Sequence, residues 1–149
     1  MRIRVSHFIL FFLCFSWTAA ASEGSVTVTA AWSRATAPGA STAVVYLRLE
    51  NQSNLTVTVE GVETSMDAKA RIHKTVSKEG VMKMTPVKEL SLAPGEQVEF
   101  KPGGLHVMLM GLTRLLDEGE TFPIRVTFLK HPDVRADVLV GTAGQMKAP

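Results

Sequence analysis

Apolar residues recur at every second position along several short stretches of this chain. Val26, Val28 and Ala30 alternate with Thr27 and Thr29 on the way to Trp32. Val45, Leu47 and Leu49 alternate with Tyr46, Arg48 and Glu50, and the pattern resumes at Leu55, Val57 and Val59 after the polar run Asn51-Gln52-Ser53-Asn54. A period of two is the mark of a half-buried strand, so these last two runs predict a β-hairpin closed by a polar loop. A further strand is predicted over Arg71–Val76, and Lys78-Glu79-Gly80 should turn it into Val81–Met84. Others are predicted at Val98 and Phe100, over 105–110, and over 124–129 and 134–140, this last pair joined by His131-Pro132-Asp133. Residues 61–70 have room for a helical turn around Met66–Lys69, 86–92 read as irregular, and 111–120 suit a loop or short helix.

No helical pattern is long. Short strands spaced about 8–12 residues apart, with Gly, Pro and Asn between them, predict an all-β antiparallel sandwich or barrel. Neither an internal repeat nor a composition break divides the chain, so one domain is expected.

Residues 1–21 stand outside that pattern. Arg2 and Arg4 precede an apolar run from Phe8 to Trp17, and Ala19-Ala20-Ala21 supplies a small-residue cleavage site. This is the layout of a secretory signal peptide, and its apolar run is shorter than the roughly 20 residues a bilayer span needs. The bulky Phe12-Leu13 ahead of Cys14 does not resemble a lipid-attachment signal. Cleavage near Ala21 would leave a domain of residues 22–149 without a membrane span.

Loss of the signal changes the charge and the chemistry. Residues 22–149 hold 14 basic and 14 acidic side chains, so the overall basic balance belongs to the export signal and is no nucleic-acid footprint. The only cysteine, Cys14, also goes. The exported domain therefore has no disulfide, no thiolate nucleophile and no thiolate metal ligand, which excludes a blue-copper centre.

The chemistry that remains is histidine and methionine. In a strand over Leu105–Met110, Leu105, Val107 and Leu109 share one face and His106, Met108 and Met110 the other. The aliphatic trio suits the core. His73 and Met84 lie on strands that a hairpin would make neighbours. Neutral imidazole and soft thioether together suit Cu(I) better than zinc or Cu(II). Methionine is equally ordinary packing material and a strand histidine is often only a satisfied polar group, so residue types alone leave both readings open. Met82 and Met110 would share faces with the candidate ligands, and packing suits them better than spare-donor roles. His131, beside Pro132 in a turn, is expected to be solvated.

The spacing His73-x10-Met84-x21-His106-x-Met108 resembles the motif of the PCuAC-type periplasmic copper chaperones. Gly80–Val87 is similar to the segment around that family's first methionine ligand, and Pro102–Leu112 to its signature strand. Trp32-Ser33-Arg34-Ala35-Thr36, Tyr46 and Asn51 also fall where the family has similar residues. The resemblance implies a cupredoxin-like antiparallel Greek-key β-sandwich in which His73, Met84, His106 and Met108 bind Cu(I). It further implies a monomer in the periplasm that passes copper towards the CuA centre of cytochrome c oxidase, by way of subunit II or another copper chaperone, or that buffers copper. Two departures stand out. Lys74 follows His73 where some members have Met, and the chain closes on Gly144–Pro149 without their His- and Met-rich extension. The competing reading is a non-metal interaction module. A copper enzyme ranks below both, because no acid or base is evident to serve an open coordination position.

Overall fold

A computed structural model describes residues 25–149; the signal segment and the cleavage site lie outside the described residues. The ten strands are β1 (Val26–Arg34), β2 (Thr42–Asn51), β3 (Val57–Thr64), β4 (Lys69–Lys78), β5 (Val81–Pro86), β6 (Leu90–Leu92), β7 (Gln97–Glu99), β8 (Leu105–Met110), β9 (Thr121–Leu129) and β10 (His131–Gly141). Hydrogen bonding runs in the order β5-β4-β8-β2-β1-β10-β9-β3-β6, with β7 added alongside β2. The path folds over on itself, so that Val45, Leu47 and Leu49 of β2, Val107 and Leu109 of β8, Ile124 and Val126 of β9 and Val138 of β10 meet in one apolar core. The all-β, cupredoxin-like expectation holds. One pairing departs from antiparallel: β1 runs parallel to β10, with Trp32 opposite Leu139.

Four local expectations are corrected. The anticipated hairpin of Val45–Glu50 with Leu55–Val59 does not form, because β2 pairs with β1, β7 and β8 while β3 pairs with β6 and β9. Asn51 is the reason. Its buried Nδ2 donates to the carbonyls of Leu55 (2.8 Å), Leu92 (3.0 Å) and Ala93 (3.1 Å), and its Oδ1 accepts from the Ser53 amide (3.0 Å) and hydroxyl (2.7 Å). A side chain that satisfies so many backbone groups holds the chain in a crossing to the other layer instead of a tight return. Residues 65–68 contain bends and no helical turn, and the irregular 86–92 stretch contains β6, while 111–120 take the loop alternative. His131 is not in the turn: it opens β10 opposite Phe128, its ring edge-on to Phe128 at 5.6 Å, while Lys130 at φ 57° makes the reversal.

Two backbone devices position the site. Between Thr29 and Trp32 the β1–β2 register slips at Ala30, which has φ 50°. A one-residue slip moves every later side chain to the opposite face. Val28 opposite Leu49 therefore faces the core, but Trp32 opposite Tyr46 faces outward. At the other end, Glu79 (φ 53°) and Gly80 (φ 79°) make the two-residue turn between Lys78 and Val81. Positive φ at both turn positions matches the twist of a hairpin, and it locks β4 to β5 in a single register.

Candidate metal centre

The core-facing trio of β8 behaves as alternation requires, with Val107 and Leu109 fully buried. The opposite face of β8 is then fixed by geometry to carry His106, Met108 and Met110. Across β4, His73 pairs directly with His106 and Arg71 with Met108. The two imidazole rings stack with centroids 6.0 Å apart and planes 17° from parallel. On the far side of β4, Met84 of β5 stands opposite Thr75. It is thus the diagonal neighbour of His73 on the same face, about 7–8 Å away along such a diagonal and within reach of a long side chain. The four residues singled out from sequence lie together on one face of three adjacent strands, Met84 and Met108 on opposite sides of the histidine pair.

Each histidine is oriented by its own strand. His106 Nδ1 lies 3.1 Å from the Gly104 carbonyl oxygen, and His73 Nδ1 lies 3.3 Å from that of Arg71. A carbonyl only accepts, so Nδ1 carries a proton in each ring, which leaves Nε2 as the nitrogen that bears the lone pair in the neutral form. His106 is 3% exposed, and its Nε2 is buried without a hydrogen-bond partner. A buried acceptor left unpaired costs about 1–3 kcal/mol. An imidazole whose Nδ1–H is held by a carbonyl and whose Nε2 is left free is the arrangement in which histidine ligates metals.

The outer face of β1 and β2 covers His106 from one side. Tyr46, one residue past the Val45–Val107 pair, stands on the face of His106. Trp32 packs on Tyr46 at a centroid distance of 4.7 Å, and the Arg34 guanidinium sits 6.0 Å above the Tyr46 ring. Burial raises the pKa of the Tyr46 phenol above its ordinary range, and nearby Arg34 opposes that rise. Arg34 in turn donates to the Gln145 carbonyl at 2.6 Å and contacts Met146 sulfur at 2.9 Å, tying the C-terminal segment down beside the cluster.

The four residues grade from buried to open. His106 is enclosed, His73 and Met108 are half-buried, and Met84 is 58% exposed. Packing therefore does not explain Met84. The packing expected for Met82 fails as well, since Met82 is 62% exposed. Met82 pairs with Ser77 and Met110 with Lys69, each two residues further from the histidines than Met84 and Met108 respectively. The geometry does not draw either into the group. What sequence reasoning did not identify are the two orienting carbonyls, of Gly104 and Arg71. Both lie two residues before their histidine, a signal with meaning only once the backbone is drawn.

The chemistry of this donor set is narrow. Among the described residues no three His, Cys, Asp or Glu side chains converge on a common point. Calcium and magnesium need charged oxygen ligands, and the same face carries Lys69 and Arg71 instead of acids. Two imidazoles and two thioether sulfurs beside cationic residues suit a soft ion of low charge.

The LpqE-like model, described as that of a lipoprotein family, matches residues 26–140. The Leifsonia xyli subsp. xyli protein Lxx21020, also named as a lipoprotein, is 31% identical over 104 residues, covering 69% of this chain. The chain spans 61% of that relative's length. Among solved structures, the apo PCuAC domain of PmoF2 superposes with a TM-score of 0.69 at 23% identity, over 85% of this chain and 98% of that domain. The Cu(I) form of DR1885 from Deinococcus radiodurans superposes with a TM-score of 0.61 at 25% identity, over 87% of each chain.

Proposed function

The chain belongs to the LpqE-like family, and from that footing we propose that it is an exported copper carrier that holds one Cu(I) ion through His73, Met84, His106 and Met108. One observation carries the reading. A buried histidine with an unpartnered Nε2 faces a second histidine, His73, directly across the strand pair, with Met84 and Met108 each diagonal to His73 on the same face. The Cu(I) form of DR1885, at 25% identity, supports the choice of metal.

Copper is the cargo. His106 anchors it from the enclosed side, because the Gly104 carbonyl orients its ring and the side chain is buried. Met84 on the edge strand is the open side, where an acceptor's ligand displaces a donor without copper being set free. The thioethers contribute softness without charge, and they form no disulfide in an oxidising compartment. The reading includes a signal peptide over 1–21, a copper domain over 22–149, a periplasmic monomer, and delivery towards the CuA centre of cytochrome c oxidase. It makes the protein a carrier and not a catalyst. Among the described residues no helix is long and apolar enough to cross a membrane.

An anaerobic Cu(I) competition titration tests this directly. One tight equivalent is expected, weakened more than tenfold, about 1.4 kcal/mol, in both His106→Ala and Met84→Ala. Protons compete with copper for the same nitrogen lone pairs, so affinity should also fall from neutral to mildly acidic pH. Absence of stoichiometric binding, or indifference to both substitutions, would return these residues to a non-metal interaction module.

A further inference from the structure

The charge of this domain is strongly uneven. Residues 69–88, the β4–β5 ribbon and its exit, hold six cations (Lys69, Arg71, Lys74, Lys78, Lys83 and Lys88) and one acid, Glu79. The remaining described residues hold eight cations against twelve acids. Every ion pair among the described residues is made by Arg48, Lys101, Arg114 or Arg125. Among the described residues none of the six ribbon cations is paired with an acid.

The ribbon also leaves the sandwich. Pairing of β4 with β8 ends at Lys74–Leu105, while pairing with β5 continues to Lys78–Val81. Beyond His73 both faces of the ribbon are open. Met82 and Met84 are exposed on one face, and Val76 and Val81 on the other. Its outer strand, β5, is a free edge of the sheet. An exposed apolar edge strand invites pairing unless charges guard it, and unpaired cations beside apolar side chains make an interface that selects an acidic partner.

From this juxtaposition we propose that the β4–β5 ribbon docks an acidic protein surface, and that this surface belongs to the copper acceptor. The second half rests on the copper reading, because His73 and Met84 stand on the same ribbon. A bilayer would meet a single cationic face. Here Lys74, Lys78 and Lys83 project from the face opposite Lys69 and Arg71, which suits a partner that clasps the ribbon. Docking there brings acceptor ligands to Met84, the open side of the site.

Two synthetic acceptor peptides with identical Met and His ligands, one flanked by glutamates and the other by lysines, serve as probes. With the metal-free protein, backbone amide shifts over residues 74–84 should move with the glutamate peptide and not with the lysine peptide. With the copper-loaded protein, transfer to the glutamate peptide should be at least tenfold faster at low salt. The advantage should shrink as ionic strength passes about 0.15 M. The combined variant Lys74→Glu, Lys78→Glu, Lys83→Glu should reverse the preference, with Cu(I) affinity and the denaturation midpoint retained.

Equal response to both peptides, or a preference surviving the triple variant, would overturn the proposal. So would ribbon shifts produced by phosphatidylglycerol vesicles and by neither peptide, which would make the ribbon a membrane contact. Salt-sensitive self-association of the free protein in sedimentation would likewise overturn it, the acidic remainder of a second copy then being the occupant. The metal-free arm decides the docking claim even if wild-type protein binds no copper, a result that would remove only the acceptor's identity as a copper protein.

Discussion

His73 and His106 stand directly opposite each other on adjacent antiparallel strands, rings 6.0 Å apart, each with Nδ1 held by the carbonyl two residues earlier. The relationship stacks two imidazoles on one face, and the Nε2 of His106 is buried without a partner. A fold optimised for stability alone has no reason to keep such a group.

That gives the first prediction. His106→Leu removes the unpartnered nitrogen, and the Gly104 carbonyl keeps its bond from the Thr75 amide at 3.1 Å. Apo stability should be unchanged or higher by about 1 kcal/mol, while Cu(I) binding is lost. Urea denaturation beside the copper titration checks both. A drop of several kcal/mol would mean that the ring is a packing element.

Met84 and Leu109 should separate binding from folding. Met84→Ala at an exposed edge should leave stability within about 0.5 kcal/mol and weaken Cu(I) binding. Leu109→Ala in the core should cost about 2–5 kcal/mol and leave the affinity of the remaining folded protein near wild type. Paired denaturation and titration curves distinguish them, and equal stability losses would contradict the burial pattern.

Asn51 ties the end of β2 to residues 53–55 and 92–93 through both the NH2 and the C=O of its side-chain amide. Asn51→Ala leaves the buried Leu92 carbonyl, and those of Leu55 and Ala93, without their side-chain donor, so it should destabilise by about 1–3 kcal/mol. The denaturant midpoint should fall with the slope unchanged. Asn51→Asp should also destabilise, since a carboxylate cannot donate to Leu55, Leu92 and Ala93.

Tyr46 is the only tyrosine of the chain, so phenolate absorbance reports it alone. Burial raises its pKa and Arg34 opposes the rise, so titration of the folded protein should centre above the ordinary value of about 10. Arg34→Ala should move it higher still. Above pH 10 the unfolded chain releases this proton more readily than the folded one, so stability falls as pH rises. A midpoint at or below the ordinary value would place Tyr46 in solvent.

The sequence by itself determined how side chains alternate along the main strands and where the β4–β5 turn falls. Alternation with period two placed Val107 and Leu109 on one face and His106 and Met108 on the other, because side-chain direction in a strand is a local property. The Glu79-Gly80 turn was legible for the same reason, since only local backbone chemistry selects it. Tertiary structure decided what each strand lies beside. Residues 45–50 and 55–59 alternate as a hairpin would, yet they enter different pairings, because the carbonyls that satisfy Asn51 include Leu92 and Ala93, about forty positions away. The slip at Ala30 carries Trp32 from the core face implied by simple alternation to the face of Tyr46. Register alone sets His73 against His106 and Met84 against Thr75, and one step of slippage would have put these side chains on opposite faces. Strand pairing and register are non-local, so they follow from the packed core and not from any single stretch of chain.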